Sequence, residues 1–455
     1  MNEEANMMTD LLAARLTMAL SLGFHIILAA IGMIMPFLMA IAHDRWLRTQ
    51  DEDAYRLTRL WTRGVAIFFA TGAVSGTALS FELGVLWPGF MEHAGPIIGM
   101  PFSLEGAAFF VEAIALGIYL YGWERLSPRL HWFSGLIVGF AGLASGILVI
   151  SANGWMNSPT GFIWENGAAH SIDPWKAFFN DAWLTQGSHM LLASFEAVGF
   201  AVAGIHAFLL LRGSKDPMHK AAVKIAFCVG SIAAILQPIN GHWAAQDVAV
   251  RQPAKLAAME AHFTTSRQAD LLIGGIPDEE SQEVHYGIHI PGGLSFLAFN
   301  DFDAEVIGLD QIPKDEWPPV LVVHFAFQIM VAIGTFLAMF AFIGLFVLWK
   351  RPSLFYHQRF LKILVLSIPL GFIAIEAGWI VTEVGRQPWI IYGIMKTKEA
   401  LTPVPGQFYH LLSFGLLYTM IGVSTVWMWS RQVAVAHRQL GPSPEIKRWA
   451  HGDES

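Results

Sequence analysis

Residues 318 to 348, PPVLVVHFAFQIMVAIGTFLAMFAFIGLFVL, hold no Asp, Glu, Lys or Arg. A bilayer core of about 30 Å is crossed by roughly 20 apolar residues, so this stretch is long enough to span it as one helix. Comparable runs lie near 17 to 41, 64 to 86, 101 to 123, 131 to 153, 183 to 211, 222 to 240, 361 to 384 and 406 to 430. The expected fold is an all-α integral membrane protein, a bundle of about nine transmembrane helices. Composition agrees, since 54% of the 455 residues are hydrophobic and 14% charged, against about 25% charged in soluble domains.

Basic residues occur in short clusters between the apolar runs: Arg45, Arg48, Arg56 and Arg59, then Arg125 and Arg129, then Arg212, Lys215 and Lys220, then Lys350, Arg351 and Arg359. They alternate with stretches poor in Lys and Arg around 87 to 100 and 154 to 182. The positive-inside rule puts the N-terminus outside and the tail with Arg431, Arg438, Lys447 and Arg448 inside. A net charge of -8 with no basic stripe argues against a nucleic-acid partner. The opening MNEEANMMTD lacks the basic region of a signal peptide, so the first apolar run is expected to be retained. Three regions follow: spans one to six over 1 to 240, a polar, Gly- and Pro-rich extracytoplasmic segment over 241 to 317 with a helical patch at AKLAAMEAHF, and spans seven to nine with the tail over 318 to 455. So long a connection is functional or disordered, because short ones are the rule.

Six carboxylates fall within or at the edges of the runs: Glu82, Glu105, Glu112, Glu196, Glu376 and Glu383. At about 2.5 to 3.5 kcal/mol for a mid-helix charge, six would cost up to the order of 15 to 20 kcal/mol, so some must be protonated, paired or ligated. In the expected orientation His25 lies roughly 10 to 15 Å below the outer surface. His189 opens span five from outside, Met330 lies about three turns into span seven, Glu105 begins span three and Glu383 ends span eight. These five potential iron ligands thus share one membrane half. The one cysteine, Cys228, excludes an intrachain disulfide, a Cys-rich metal cluster and haem attachment through C-x-x-C-H. Any haem must be held by His, Met or carboxylate. Glu105 and Glu112 are seven apart, as are Glu376 and Glu383, so each pair shares a helix face. That spacing suits inward proton steps or plain interhelical hydrogen bonds, as do Ser145 and Asn153 on span four.

GWIVTEVGRQPW (378 to 389) resembles the G-W-x-x-x-E-x-G-R-Q-P-W signature of cytochrome bd subunit I. SANGWMNSP (151 to 159), PFSLEGAAFFVE (101 to 112) with GWERL (122 to 126), ARLTMALSLGFH (14 to 25) and QPAKLAAMEA (252 to 261) resemble its other landmarks, in the family's order from the first span to the last. The resemblance implies a bundle binding three haems: a low-spin haem b, a high-spin haem b and a haem d. Residue by residue, it implies that His189 and Met330 hold the low-spin iron and that His25 and Glu383 hold the two high-spin irons, in an order it leaves open. Glu105 matches the carboxylate at the high-spin pair and a further iron contact, with Glu112 and Ser145 on the proton route to it. Lys255 and Glu260 match residues of quinol oxidation, and Arg386 and Trp379 match groups that support the high-spin site. Gln328 stands where the family often has arginine. Outer-loop and chain length resemble the short-loop branch, which includes cyanide-insensitive oxidases.

The implied activity is oxidation of quinol on the outer side and reduction of O2 to water by a respiratory terminal oxidase in the bacterial cytoplasmic membrane, separating charge by proton uptake without pumping. The implied partners are subunit II, a small single-helix accessory subunit, and membrane lipids. The competing class is a haem-free, proton-coupled secondary transporter, whose expected sign is a pair of broken helices at the midplane.

Overall fold

In a computed structural model of the chain, residues 2–165 and 167–439 are described, with side chains from 7 to 432. The tail residues Lys447 and Arg448 lie outside them. In chain order the helices are α1 (Asn2–Thr49), α2 (Glu52–Leu86), α3 (Pro88–Tyr121), α4 (Pro128–Asn157), α5 (Pro174–Phe178), α6 (Trp183–Leu211), α7 (Pro217–Arg251) and α8 (Pro253–Met259). There follow α9 (Gly293–Phe299), α10 (Val320–Lys350), α11 (Pro352–Phe355), α12 (Gln358–Leu366), α13 (Leu370–Val384), α14 (Thr397–Ala400) and α15 (Gln407–Gln439). Among the described residues nine helices are long and apolar enough to cross a membrane, with α12 and α13 counted together. Proline at the first turn starts several of them, where its missing N–H costs nothing.

Consecutive helices pack as antiparallel neighbours, α1 on α2, α3 on α4 and α6 on α7, while α10 lies against α7 and α13, and α15 against α1. The α6–α7 crossing is close because Gly199 meets Gly230: a Cβ at Gly199 would stand 2.5 Å from the Gly230 Cα. Small residues let backbones approach where lipid supplies no hydrophobic drive. Outward faces are apolar, as with Phe336, Met339, Phe342 and Phe346 of α10.

Three sequence expectations are revised. The stretch 87 to 100, poor in Lys and Arg and expected as a loop, is helical from Pro88 and belongs to α3, so Glu105 sits halfway along a helix instead of opening one. Pro96 and Pro101 lie inside that helix, a tolerance found in membrane bundles where neighbours satisfy the freed backbone groups. The sixth span runs on to Arg251, past the end of its apolar run. The eighth is interrupted at Ser367 to Pro369, where proline cannot continue the ladder. This is the one break within a spanning helix among the described residues, so the paired breaks of a transporter are not found among them.

The segment after α7 is folded. Three nested antiparallel pairs, Ser266–Arg267 with Glu305–Val306, Leu271–Ile273 with Ile288–Ile290, and Ile276–Asp278 with Glu283–His285, build one long hairpin. It caps the ends of α10 and α13 through Met259, Phe263, Leu272, Val320, Val323 and Val381. His324 of α10 faces it with Nδ1 2.8 Å from the Met259 carbonyl and Nε2 3.1 Å from the Gly274 carbonyl, a neutral ring donating to one of the two.

Candidate functional site

His25 of α1 faces α2. Its Nδ1 lies 2.9 Å from the Ser75 hydroxyl, and that hydroxyl gives its own proton to the Gly72 carbonyl at 3.0 Å. Ser75 therefore accepts from Nδ1–H, which leaves the Nε2 lone pair for a metal. Gly76 makes room for the ring: a Cβ there would be 2.9 Å from Cε1.

His189 of α6 repeats this logic with other residues. Its Nδ1 is 2.9 Å from Asn240 Oδ1, while the Asn240 amide donates to Ser188 Oγ at 2.7 Å. The oxygen must accept from Nδ1–H, and Nε2 is again the free ligand atom. Met330 of α10 lies against Gly378 of α13, where a Cβ would stand 3.1 Å from its sulfur. Trp379, next along α13, packs against the cluster formed by Ile26 and Ala30 of α1, Ala197 of α6 and Ile375 of α13.

Glu383 heads a connected polar line. Its Oε2 accepts from Arg386 at 2.6 Å and its Oε1 from Asn153 at 2.5 Å. Asn153 Oδ1 in turn accepts from Asn157 at 3.0 Å, and Asn157 Oδ1 accepts from Lys255 Nζ at 2.8 Å. Asn153 and Asn157 are four apart on α4, hence on one face. Lys255 is buried against Gly385, where a Cβ would be 3.1 Å from its Cγ. Burial, then the Arg386 charge, pull its ammonium well below the usual lysine range, with Glu383 opposing. Arg386 is 2% exposed, and its Nε and Nη1 are buried with no partner. Unpaired buried donors on a cation call for an anion, such as a haem propionate.

Glu105 and Glu112 follow the expected face of α3, and α4 supplies the connection: Ser145 Oγ donates to Glu105 at 3.0 Å, and a Cβ at Gly142, one turn earlier, would be 3.5 Å from Glu112 Oε1. Glu112 is buried. Glu260, by contrast, has neither Lys255 nor Glu383 as partner. It lines a cavity of about 350 Å³ under the hairpin with His262, Asp270, Leu272 and His289. Burial pushes its carboxyl up to about 8, against a smaller pull from the Leu272 amide. The two loop residues grouped by sequence thus take different surroundings.

The residues present fit haem. Two imidazoles have Nδ1 anchored and Nε2 free, a thioether and a carboxylate stand on facing helices, Gly76, Gly241 and Gly378 lie beside His25, His189 and Met330, and Arg386, paired with Glu383, keeps two buried nitrogens without a partner. Sequence reading missed the supports Ser75, Asn240 and Asn157. Only Asn157 left a signal, its four-residue spacing from Asn153. Glu82, one of the six carboxylates singled out in the sequence, is buried with Ser21 donating at 2.6 Å and Tyr418 at 3.4 Å. Tyr418 also reaches the Ser75 carbonyl at 3.4 Å.

Comparison with known proteins shows the family. The family model for cytochrome bd terminal oxidase subunit I matches residues 13–437. A Bacillus subtilis protein assigned as a cytochrome bd menaquinol oxidase subunit I is 36% identical over 92% of this chain and 96% of its own. The cytochrome bd-II ubiquinol oxidase subunit 1 of Escherichia coli is 27% identical over 94% of this chain and 96% of its own. The solved structure of the bd oxidase from Geobacillus thermodenitrificans superposes with a TM-score of 0.87 at 39% identity, covering 93% of this chain and 98% of that one. Ligand-competent side chains, fold and family match converge: the chain belongs to the family of cytochrome bd terminal oxidase subunit I.

Proposed function

We propose that this subunit oxidises quinol at its outer loop and delivers protons from the opposite face to a site of oxygen reduction. The observation that carries the reading is the pair of imidazoles, His25 and His189, each held through Nδ1 and presenting Nε2 within the bundle. His189 with Met330 holds a low-spin haem b, and His25 and Glu383 hold the high-spin haem b and haem d in either order. When bound, the haem irons supply the electron transfer and oxygen chemistry.

This chain's residues do the rest. Glu260 in its cavity takes the quinol hydroxyl proton, and Lys255 orients the loop beside Glu383 through Asn157. Released protons leave on the outer side. Protons for water move from the basic, inner face past Glu112 and Ser145 to Glu105, so charge is separated without a pump. The orientation rests on the alternation of basic loops. Subunit II and a small accessory helix would cover part of the apolar exterior, with lipid on the remainder.

The test is a reduced-minus-oxidised visible spectrum of the purified complex and of His189→Ala, with quinol-dependent oxygen uptake. Loss of the low-spin signal in the variant is expected. A full low-spin signal in His189→Ala would sink the ligand assignment, and a colourless parent complex would sink the oxidase reading of this chain.

A further inference from the structure

The face of α3 that carries Glu105 and Glu112 continues at the same seven-residue spacing to Tyr119, two residues from the helix end. Tyr119 is fully buried, as are His43 and His131 around it. Its hydroxyl lies 2.9 Å from His43 Nδ1 and within hydrogen-bonding reach of Thr62. Its ring stacks on His131 at 4.3 Å between centroids, and its backbone carbonyl accepts from His131 Nε2 at 2.8 Å. Four helices, α1, α2, α3 and α4, thus place polar groups at one point near the ends that bear the basic loops. His43 Nε2 is buried with no hydrogen-bond partner. The group is walled by Trp46 and Trp123, both 5.5 Å from the His43 ring centroid.

A purely structural aromatic box has no need of two buried imidazoles, and an unpartnered ring nitrogen costs it stability. Beside a phenol, and with no group of three metal-ligating side chains among the described residues, what an imidazole adds is proton exchange near neutral pH. We infer that His43 and Tyr119 form the inner, uptake end of the proton route that reaches Glu112 and Glu105, with His131 holding Tyr119 in place. The inference rests on the relay reading given above.

A proton arriving at His43 Nε2 lets Nδ1–H pass to the Tyr119 oxygen. Tyr119 hands its phenolic proton onward, and each group returns to its neutral form, so one proton advances and none is consumed. Side chains on a helix lean toward its N-terminus, which aims Tyr119 back along α3 toward Glu112. Seven residues separate successive members by about 10 Å, a gap that ordered water bridges.

The test uses the full oxidase complex in liposomes, with Tyr119→Phe, His43→Phe, His43→Ala and Glu112→Gln. The two Phe variants should lower turnover at saturating quinol by about three- to tenfold, with an unchanged haem spectrum and KM. They should also increase the solvent deuterium isotope effect, and added imidazole should restore part of the His43→Ala rate. Packing alone would move neither the isotope effect nor the imidazole response. Should His43→Phe lose its haem spectrum, Tyr119→Phe decides, since it removes one oxygen and keeps the stack. Turnover of a fully haem-loaded Tyr119→Phe protein within twofold of the parent, with no imidazole response in His43→Ala, overturns the inference. If Glu112→Gln is slowed in that case, only the uptake end is wrong; if it too is unchanged, the relay itself fails.

Discussion

Gln328 grips Gly274 and its neighbour from inside the bundle. The Gly274 N–H donates to its Oε1 at 3.0 Å, while its Nε2 donates to the Leu272 carbonyl at 3.0 Å. Two residues before Met330, an amide thus completes the backbone pairing of the outer hairpin, because it carries both a donor and an acceptor group and the task requires one of each. Glutamine at this position therefore has a local structural use.

Gln328→Ala leaves a carbonyl and an N–H without partners, at a cost of about 1 to 3 kcal/mol. Hydrogen exchange at the Gly274 amide should quicken by roughly tenfold or more. Gln328→Arg keeps a donor for Leu272 but offers nothing to Gly274, so the same amide should exchange faster than in the parent. An unchanged rate in both variants would show that the grip contributes nothing to loop order.

Glu260 gives the loop a pH dependence. Its carboxyl, normally near 4.5, is raised to about 8 by burial, so it is protonated at neutral pH and must ionise before it can act as a base. The kcat/KM for quinol should rise through about pH 8 and level off above it, a limb that Glu260→Gln should remove. For stability the sign is opposite. Between the unfolded and folded values only the folded state holds this proton, so the group makes folding less favourable as pH rises across that window and adds nothing further above it. A kcat/KM profile that falls through pH 8 would reject Glu260 as the base.

Asn240→Leu removes the acceptor that fixes the His189 ring. Loss of such a support weakens a metal site by about 10- to 100-fold. The purified variant should show a reduced low-spin haem content by pyridine haemochrome assay and spectrum. Asn240→Asp, which still accepts from Nδ1–H, should retain more haem. Equal haem in all three proteins would mean the ring needs no anchor.

Ser145→Ala breaks the link to Glu105 without touching a carboxylate. Water can occupy the space, so we expect a milder effect than Glu112→Gln, whose turnover and membrane potential should fall by about tenfold or more. Potential generation in liposomes, measured with a voltage-sensitive dye, compares them. A Ser145→Ala effect larger than that of Glu112→Gln would reverse the order of the route.

The sequence by itself determined the nine spans, because a bilayer demands apolar runs of a fixed minimum length and 318 to 348 leaves no other reading. It also brought Glu105 and Glu112 onto one face by spacing alone, and its motifs matched the family. It misjudged where α3 begins, since Pro96, Pro101 and the charged group near His93 resemble a loop until neighbouring helices pack around them. Only tertiary structure decided which nitrogen of His25 and His189 is free, because Ser75 and Asn240 lie far along the chain and on other helices. The same holds for the line from Lys255 to Glu383, which joins a loop to α4 and α13, and for Glu260, which turns into a separate cavity. Hydrogen bonds between helices depend on their rotation and depth, and an apolar run of the right length leaves both undetermined.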